Sequence, residues 1–263
     1  MRRLFGLNEL ISKVTYTKIA IVELLVAVGL WMLLPAIFPS PVEIVNAWLH
    51  LWSMDFDNTN FTTAMIGSLW TNFEALAIIV AASLVVGYLT AMPVVRPLAK
   101  AISLGRFAAM AGLGLLFNFM TSGGHELKIL LLTFFGIVFL LPGVVDVVDS
   151  VPTERFEHAR TLRMSERRIV WEIVILGTRD KMFDLIRGNA AMVWMMLTSV
   201  EVLVRYEGGV GVLLANQERH LNLEVVFAIQ LMFLLFGLLQ DTSFVLLKKH
   251  FCPYASLATA GRS

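Results

Sequence analysis

The sequence predicts an all-α membrane protein with six transmembrane helices, an amphipathic outer helix and a basic helical segment between the fourth and fifth spans. Three observations carry this expectation. Of 263 residues, 57 % are hydrophobic and 16 % charged, where an ordinary soluble domain has about 25 % charged. The mean hydropathy is +0.75, and the apolar residues are gathered into runs that approach or exceed the roughly 20 residues needed to cross a bilayer. Lys and Arg are distributed unevenly between alternate connections, as the rule of positive cytoplasmic loops requires.

The chain opens on a basic flank with Arg2, Arg3, Lys13 and Lys18 against one acid, Glu9. The first apolar run, 19–38, is too long for the core of a signal peptide and ends in a proline-rich stretch instead of a small-residue cleavage site. Glu23 lies inside it and is expected near the cytoplasmic end or against other helices, because an acid facing lipid is costly. In Pro39-Ser40-Pro41 the prolines end one helix and start the next, with Ser40 as cap. Val42, Val45, Trp48 and Leu49 then share a face, which predicts a short helix lying in the outer interface. The loop that follows holds Asp55 and Asp57 and no basic residue.

The second run, 66–92, contains Glu74, an acid that needs a partner, and ends at Pro93. A short basic connection with Arg96 and Lys100 leads to the third run, 102–120, whose many Gly and Ala residues suit close helix packing. The fourth run, 127–148, carries Pro142-Gly143 as a kink. The fifth, 185–204, leads to a Gly-rich turn at 208–211, and the sixth, 225–247, ends at Lys248 and Lys249. With both termini on the inner side, eight basic residues fall between Arg155 and Arg187, whereas the outer segments hold only Lys128, Arg205 and Arg219. Moving the count by one span would invert this asymmetry.

The segment 151–177 reads as helix, turn, helix. Pro152 or Thr153 can start the first piece, on which Phe156, Ala159 and Leu162 share a face. Ser165 can cap the second, where Ile169, Trp171, Ile173 and Val174 form a broad apolar surface. By composition this pair serves equally well as an interfacial element held by anionic lipid or as a docking site for a soluble partner.

Glu157-His158-Ala159, followed by Arg160-Thr161-Leu162-Arg163-Met164-Ser165, resembles the "EAA" cytoplasmic loop of bacterial ABC-importer permeases. Four further stretches are similar, in the same order, to elements of the branch that imports nitrate, sulfonates, taurine and bicarbonate: Pro39-Ser40-Pro41, Gly124-His125-Glu126, Phe134-Phe135-Gly136-Ile137 and Gly209-Val210-Gly211-Val212-Leu213. The resemblance implies a type I importer architecture in a single transmembrane domain over 1–263, in the bacterial inner membrane. It implies a coupling helix that grips a separate ATPase subunit, with Glu157 and Ala159 at the contact and Arg160 and Arg163 nearby. It also implies a second permease subunit, expected as a second copy of this chain, and an extracytoplasmic solute-binding protein that delivers a small solute, expected as an anion. The family favours Gly where this chain has Arg163, Ala at His158, Leu-Pro at Ile175-Leu176, and Pro at Gly136. A non-Gly residue at a left-handed position costs about 1–2 kcal/mol.

The chain has no GxxxxGK[ST] pattern, so ATP is expected on the partner and no cofactor in this chain. Asn118, Thr198, Ser199 and Glu201 are the candidates for the transport pathway, since polar groups in spanning helices face protein or water. For each singly, hydrogen bonding between helices is the competing role. An intramembrane enzyme is the rival class, with Asp146 and Asp149 on one helical face, but HExxH and a second acidic cluster are both missing and no catalytic residue is assigned. A permease-like scaffold or sensor without transport is the other alternative. The lone Cys252 excludes an intrachain disulfide and a thiolate metal cluster, no metal site is expected, and a net charge of +1 gives no ground for a nucleic-acid partner.

Overall fold

A computed structural model describes residues 13–32, 38–53, 55–56, 59–121 and 123–253. The expected cytoplasmic termini, with Arg2, Arg3 and Arg262, and the acid Asp57, lie outside the described residues. The helices are α1 (Lys13–Met32), α2 (Pro41–His50), α3 (Phe61–Leu89), α4 (Arg96–Ser103), α5 (Met110–Met120), α6 (His125–Asp149), α7 (Thr153–Thr161), α8 (Glu166–Ile169), α9 (Arg179–Leu203), α10 (Val210–Arg219) and α11 (Leu223–Phe251). One small antiparallel pairing, β1 (Asp55–Phe56) with β2 (Thr59–Asn60), joins α2 to α3.

Packing fixes the helix directions. Gly87 of α3 lies against Val144 of α6, and Gly136 of α6 lies against Ile79 of α3, so the two helices run parallel. A Cβ at Gly136 would run into the Ile79 side chain, which explains why a small residue stands there. Gly143 of α6 meets Leu185 of α9, and the Asn189 Nδ2 group donates to the Gly136 carbonyl at 3.5 Å, so α9 runs antiparallel to α6. Trp194 Nε1 donates to the Phe233 carbonyl at 3.0 Å, and Lys248 pairs with Asp184 at 2.5 Å, so α11 runs antiparallel to α9. One end of the bundle therefore collects the starts of α3, α6 and α11 with α10. The other collects their ends with α7 and α8.

Among the described residues, four helices (α1, α3, α6 and α11) are long and apolar enough to cross a membrane. The third expected run is not one straight helix. It breaks near Ala108-Ala109, where the chain bends by 119° between Arg96–Phe107 and Gly112–Met120; the bent pair makes a fifth span only if counted as one. The local reason is in the sequence: Gly105 packs on Phe134 and Val138 of α6, and Ala108 and Ala109 take extended backbone. Helix α9 has the length of a span, but Arg179, Asp180, Lys181, Asp184 and Arg187 make its first part charged.

Ser40 caps α2 as expected, in a reciprocal capping box. Its hydroxyl accepts from the Glu43 N–H at 3.3 Å, and its own N–H donates to Glu43 Oε2 at 2.7 Å. The face expected in the outer interface lies outward except for Trp48, and the opposite face packs on the bundle. Ile44, Ala47 and, just beyond the helix, Leu51 are buried, and Trp48 Nε1 donates to Met232 Sδ of α11 at 2.6 Å, while Val42, Val45 and Leu49 are exposed. The helix is apolar on both sides, so periodicity could not tell which side meets protein. Glu74 finds a partner in His125, 3.0 Å away, whereas Glu23 is exposed on α1. At the α7 end, Arg96 pairs with Asp149 at 3.1 Å, which assigns that acid to the end of α6.

Candidate functional site

Two features stand at opposite ends of the bundle: a polar cavity at the α10 end and the exposed α7–α8 segment at the other. The cavity is organised around Glu201, near the end of α9, whose residue is 1 % exposed. Burying a carboxylate demands partners, and three elements supply them. Ser68 of α3 donates its hydroxyl to Glu201 Oε1 at 2.5 Å. The Gly211 N–H, at the start of α10, donates to Oε2 at 2.6 Å. Ser68 Oγ in turn accepts the Val210 N–H at 3.0 Å. These bonds need the backbone to lie on the carboxylate. A Cβ at Gly209, where φ is +118°, would strike the Glu201 carboxyl, and one at Gly211 would strike the Thr198 carbonyl. The Gly209-Val210-Gly211 sequence is therefore a cradle for Glu201, with the first glycine also chosen for its backbone angle.

Lys128, on the first turn of α6, faces the same turn and is also buried. Its Nζ donates to the Gly208 carbonyl at 2.7 Å, and the Glu201 and Glu207 carboxylates offset its charge. Tyr206 Oη accepts the Gly124 N–H at 2.5 Å. The turn between α9 and α10 is thus fastened to α3, to α6 and to the turn before α6. Around this network is a cavity of about 640 Å³, reached by Thr63, Thr71, Arg205, Glu207, Asn216 and Gln217. Glu201 and Lys128 are both committed to fixed partners and hold the walls in place.

The α7–α8 segment folds as the sequence suggests for its first half. Helix α7 starts after Pro152, Ala159 is buried at 2 % exposure, and Phe156 leans on the core. Glu157, Arg160 and Arg163 point outward. Leu162 is exposed, so it does not share the buried face with Phe156 and Ala159. Arg160 Nε donates to Glu166 Oε1 at 3.4 Å across the turn; a pair this exposed adds little stability. The helix ends in a Schellman motif: the Met164 N–H bonds the Ala159 carbonyl at 3.2 Å, the Arg163 N–H bonds the Arg160 carbonyl at 2.9 Å, and Arg163 sits at φ +54°. The position does require left-handed backbone, and a non-Gly residue occupies it. Arg163→Gly is therefore expected to stabilise the segment by about 1 kcal/mol. Amide exchange of the α7 backbone, slowed several-fold in the variant, would show it; unchanged exchange would mean that Arg163 is unstrained.

The second half departs from expectation. After one turn of α8 the backbone widens to a π-helix over Val170–Ile175. Ile169 and Val174 are buried, while Trp171 is exposed, so the expected apolar surface is split between core and surface. Glu172 accepts from Arg168 Nε at 2.6 Å and holds that guanidinium above its ordinary pKa. The two halves enclose a shallow groove of about 420 Å³ floored by Ala159 and Ile173 and rimmed by Glu154, Arg155 and His158.

No family model matches the chain. Over 251 residues, 89 % of this chain and 88 % of the relative, it is 25 % identical to a protein of Methanocaldococcus jannaschii named "Putative ABC transporter permease protein". The chain is similar to an ABC permease along most of its length. That similarity supports a permease role, and with the apolar helices it supports a multi-pass membrane protein. A permease of this kind works with a separate ATPase subunit.

The four pathway candidates do not converge. Glu201 is the centre of the buried network. Thr198, one turn before it, is half-buried with its hydroxyl donating to the Met195 carbonyl at 3.1 Å. Ser199 is exposed on α9, and Asn118 is exposed on α5. Sequence reasoning missed Ser68, Lys128 and helix α10. The Gly-x-Gly element before α10 was the available signal, because closely spaced glycines mark a backbone pressed against something.

Proposed function

We propose that this chain is the membrane-spanning permease subunit of an ATP-driven importer, with α7 as the helix that receives the ATPase. The observation that carries the reading is the α7 turn. A short helix with a left-handed Schellman cap at Arg163 turns its exposed Glu157 face away from the bundle, at the position of the importer-type loop in the sequence. Motion delivered to α7 would reach the bundle through Phe156, Ile169 and Val174, which root the segment in the core. In this reading the α7 end is cytoplasmic and the chain crosses six times, with the bent α4–α5 pair and the charged α9 as two of the crossings. The polar cavity opens on the outer side, where a solute-binding protein delivers a small solute. By resemblance that solute is an anion such as nitrate, a sulfonate or bicarbonate. The partners are a second copy of this chain and the ATPase pair, in the inner membrane.

A scaffold without transport is favoured by one observation, the non-Gly residue at the strained cap position. Purification from native membranes separates the two. An importer subunit brings an ATPase with it, whereas a scaffold of the degenerate kind comes alone.

A further inference from the structure

We propose that the cavity at the α10 end binds a small zwitterion, with Arg205 taking the acidic oxyanion of the solute and Glu207 its ammonium group. The inference rests on the permease reading, in which this cavity opens outward, and it narrows the solute class to molecules that carry an amine beside the acid. Its basis is a division among the polar groups of the cavity. Ser68, Lys128, Glu201 and Tyr206 each hold a fixed partner. A second set does not. Among the described residues, the Arg205 guanidinium, the Glu207 carboxylate and the Asn216 amide line the cavity without a hydrogen bond or ion pair. Gln217 is only 9 % exposed, and its Oε1 accepts the Asn222 Nδ2 group at 2.8 Å, which leaves its own N–H2 group to the cavity. A polar group in so buried a residue is completed by something, and here no protein group does it.

The charges select the occupant. Lys128 and Arg205 face Glu201 and Glu207 around the cavity, two of each sign, and His125, which also lines it, is answered by Glu74. The lining is therefore close to neutral. A simple anion drawn to Arg205 would meet the Glu207 carboxylate, two residues away on the same short turn, Arg205–Glu207. A simple amine drawn to Glu207 would meet the guanidinium in the same way. A solute that carries both charges answers both groups at once, and each single charge is selected against by the group it leaves unpaired.

The turn that carries the two charges is fixed before any solute arrives. The Gly208 carbonyl accepts from Lys128 Nζ at 2.7 Å, and Tyr206 Oη accepts the Gly124 N–H at 2.5 Å, so the residues on either side of Glu207 are anchored to α6 and to the turn before it. Such anchoring lowers the ordering that binding requires. Trp70 lines the same cavity and is exposed, and its ring offers a further contact for an ammonium group.

The test uses the chain purified from its native membranes with the subunits that accompany it, in nanodiscs. The probes come in two matched sets: β-alanine with propanoate and propylamine, and aminoethanesulfonate with ethanesulfonate and ethylamine. Saturable binding of a zwitterion is expected, about tenfold tighter than that of its matched anion or amine. The tighter of the two zwitterions tells whether the acid is a carboxylate or a sulfonate. Glu207→Gln should weaken the zwitterion about tenfold while the matched anion binds as well as before or better, and Arg205→Gln should weaken both. Opposite changes for two probes in one variant cannot come from a folding defect. Equal binding of zwitterion and anion by the parent would overturn the proposal. So would no saturable binding of either zwitterion in the millimolar range, or a Glu207→Gln variant that weakens anion and zwitterion in equal proportion. If the ATPase is recovered with the chain in those cases, the importer reading stands. Zwitterion binding by a chain that brings no ATPase would uphold the site and overturn the importer reading instead.

Discussion

Replacing Glu201 by alanine is expected to destabilise the bundle by about 2–6 kcal/mol, because two buried donors lose their acceptor. The structure gives the reason. The variant would leave the Ser68 hydroxyl and the Gly211 N–H without their acceptor, and Lys128 would lose one of the carboxylates that offset its charge. Each orphaned buried donor costs about 1–3 kcal/mol, and more when charged. The loss should appear as a lower unfolding midpoint of the detergent-solubilised protein. Protease sensitivity should rise first between Val204 and Val210, since that turn is fastened by the same network. Ser68→Ala should produce a smaller effect in the same direction. The double variant should fall well short of the sum, because both side chains belong to one network. An alanine variant as stable as the parent would show that Glu201 is not holding the turn, and the cavity would then lack its defined wall.

Glu157→Lys is expected to strip the ATPase from the purified chain, with recovery of the partner falling about tenfold or more. Tenfold corresponds to about 1.4 kcal/mol, which is modest for reversing a charge at the centre of a contact, where losing one partner of a close pair typically costs 2–5 kcal/mol. Glu157 is exposed on α7, so the substitution should leave the spanning helices and the unfolding midpoint unchanged. The two variants therefore separate cleanly: Glu201→Ala acts on stability at one end of the bundle, and Glu157→Lys on partner binding at the other. Recovery of the ATPase equally with parent and variant would move the contact away from Glu157. A parent chain that brings no ATPase, under conditions that preserve such complexes, would end the importer reading.

Much of this was legible in the sequence because lipid and water impose local rules. A span must be apolar along its length, a helix start needs a cap, and a cytoplasmic loop gathers Lys and Arg. These led to the all-helical class, the Ser40 cap and the two-part segment after α6, while the left-handed turn at Arg163 was suggested by the resemblance to a family that favours Gly there. Two runs were exceptions: the third breaks between α4 and α5, and α9 starts with charges that form ion pairs with α11, which no local pattern predicts.

Tertiary structure alone decided the rest. Ser68 and Glu201 are 133 residues apart, and nothing near either one in the chain announces the other. Lys128 reads as an isolated basic residue on an outer segment until the turn at Gly208 folds over it. The inward face of α2 and the break between α4 and α5 were hidden for a related reason. In a membrane the lipid-facing and protein-facing sides of a helix are both apolar, so hydropathy locates a span without saying which way it turns. That choice is made by close packing and by the few polar groups that must find one another inside the bundle.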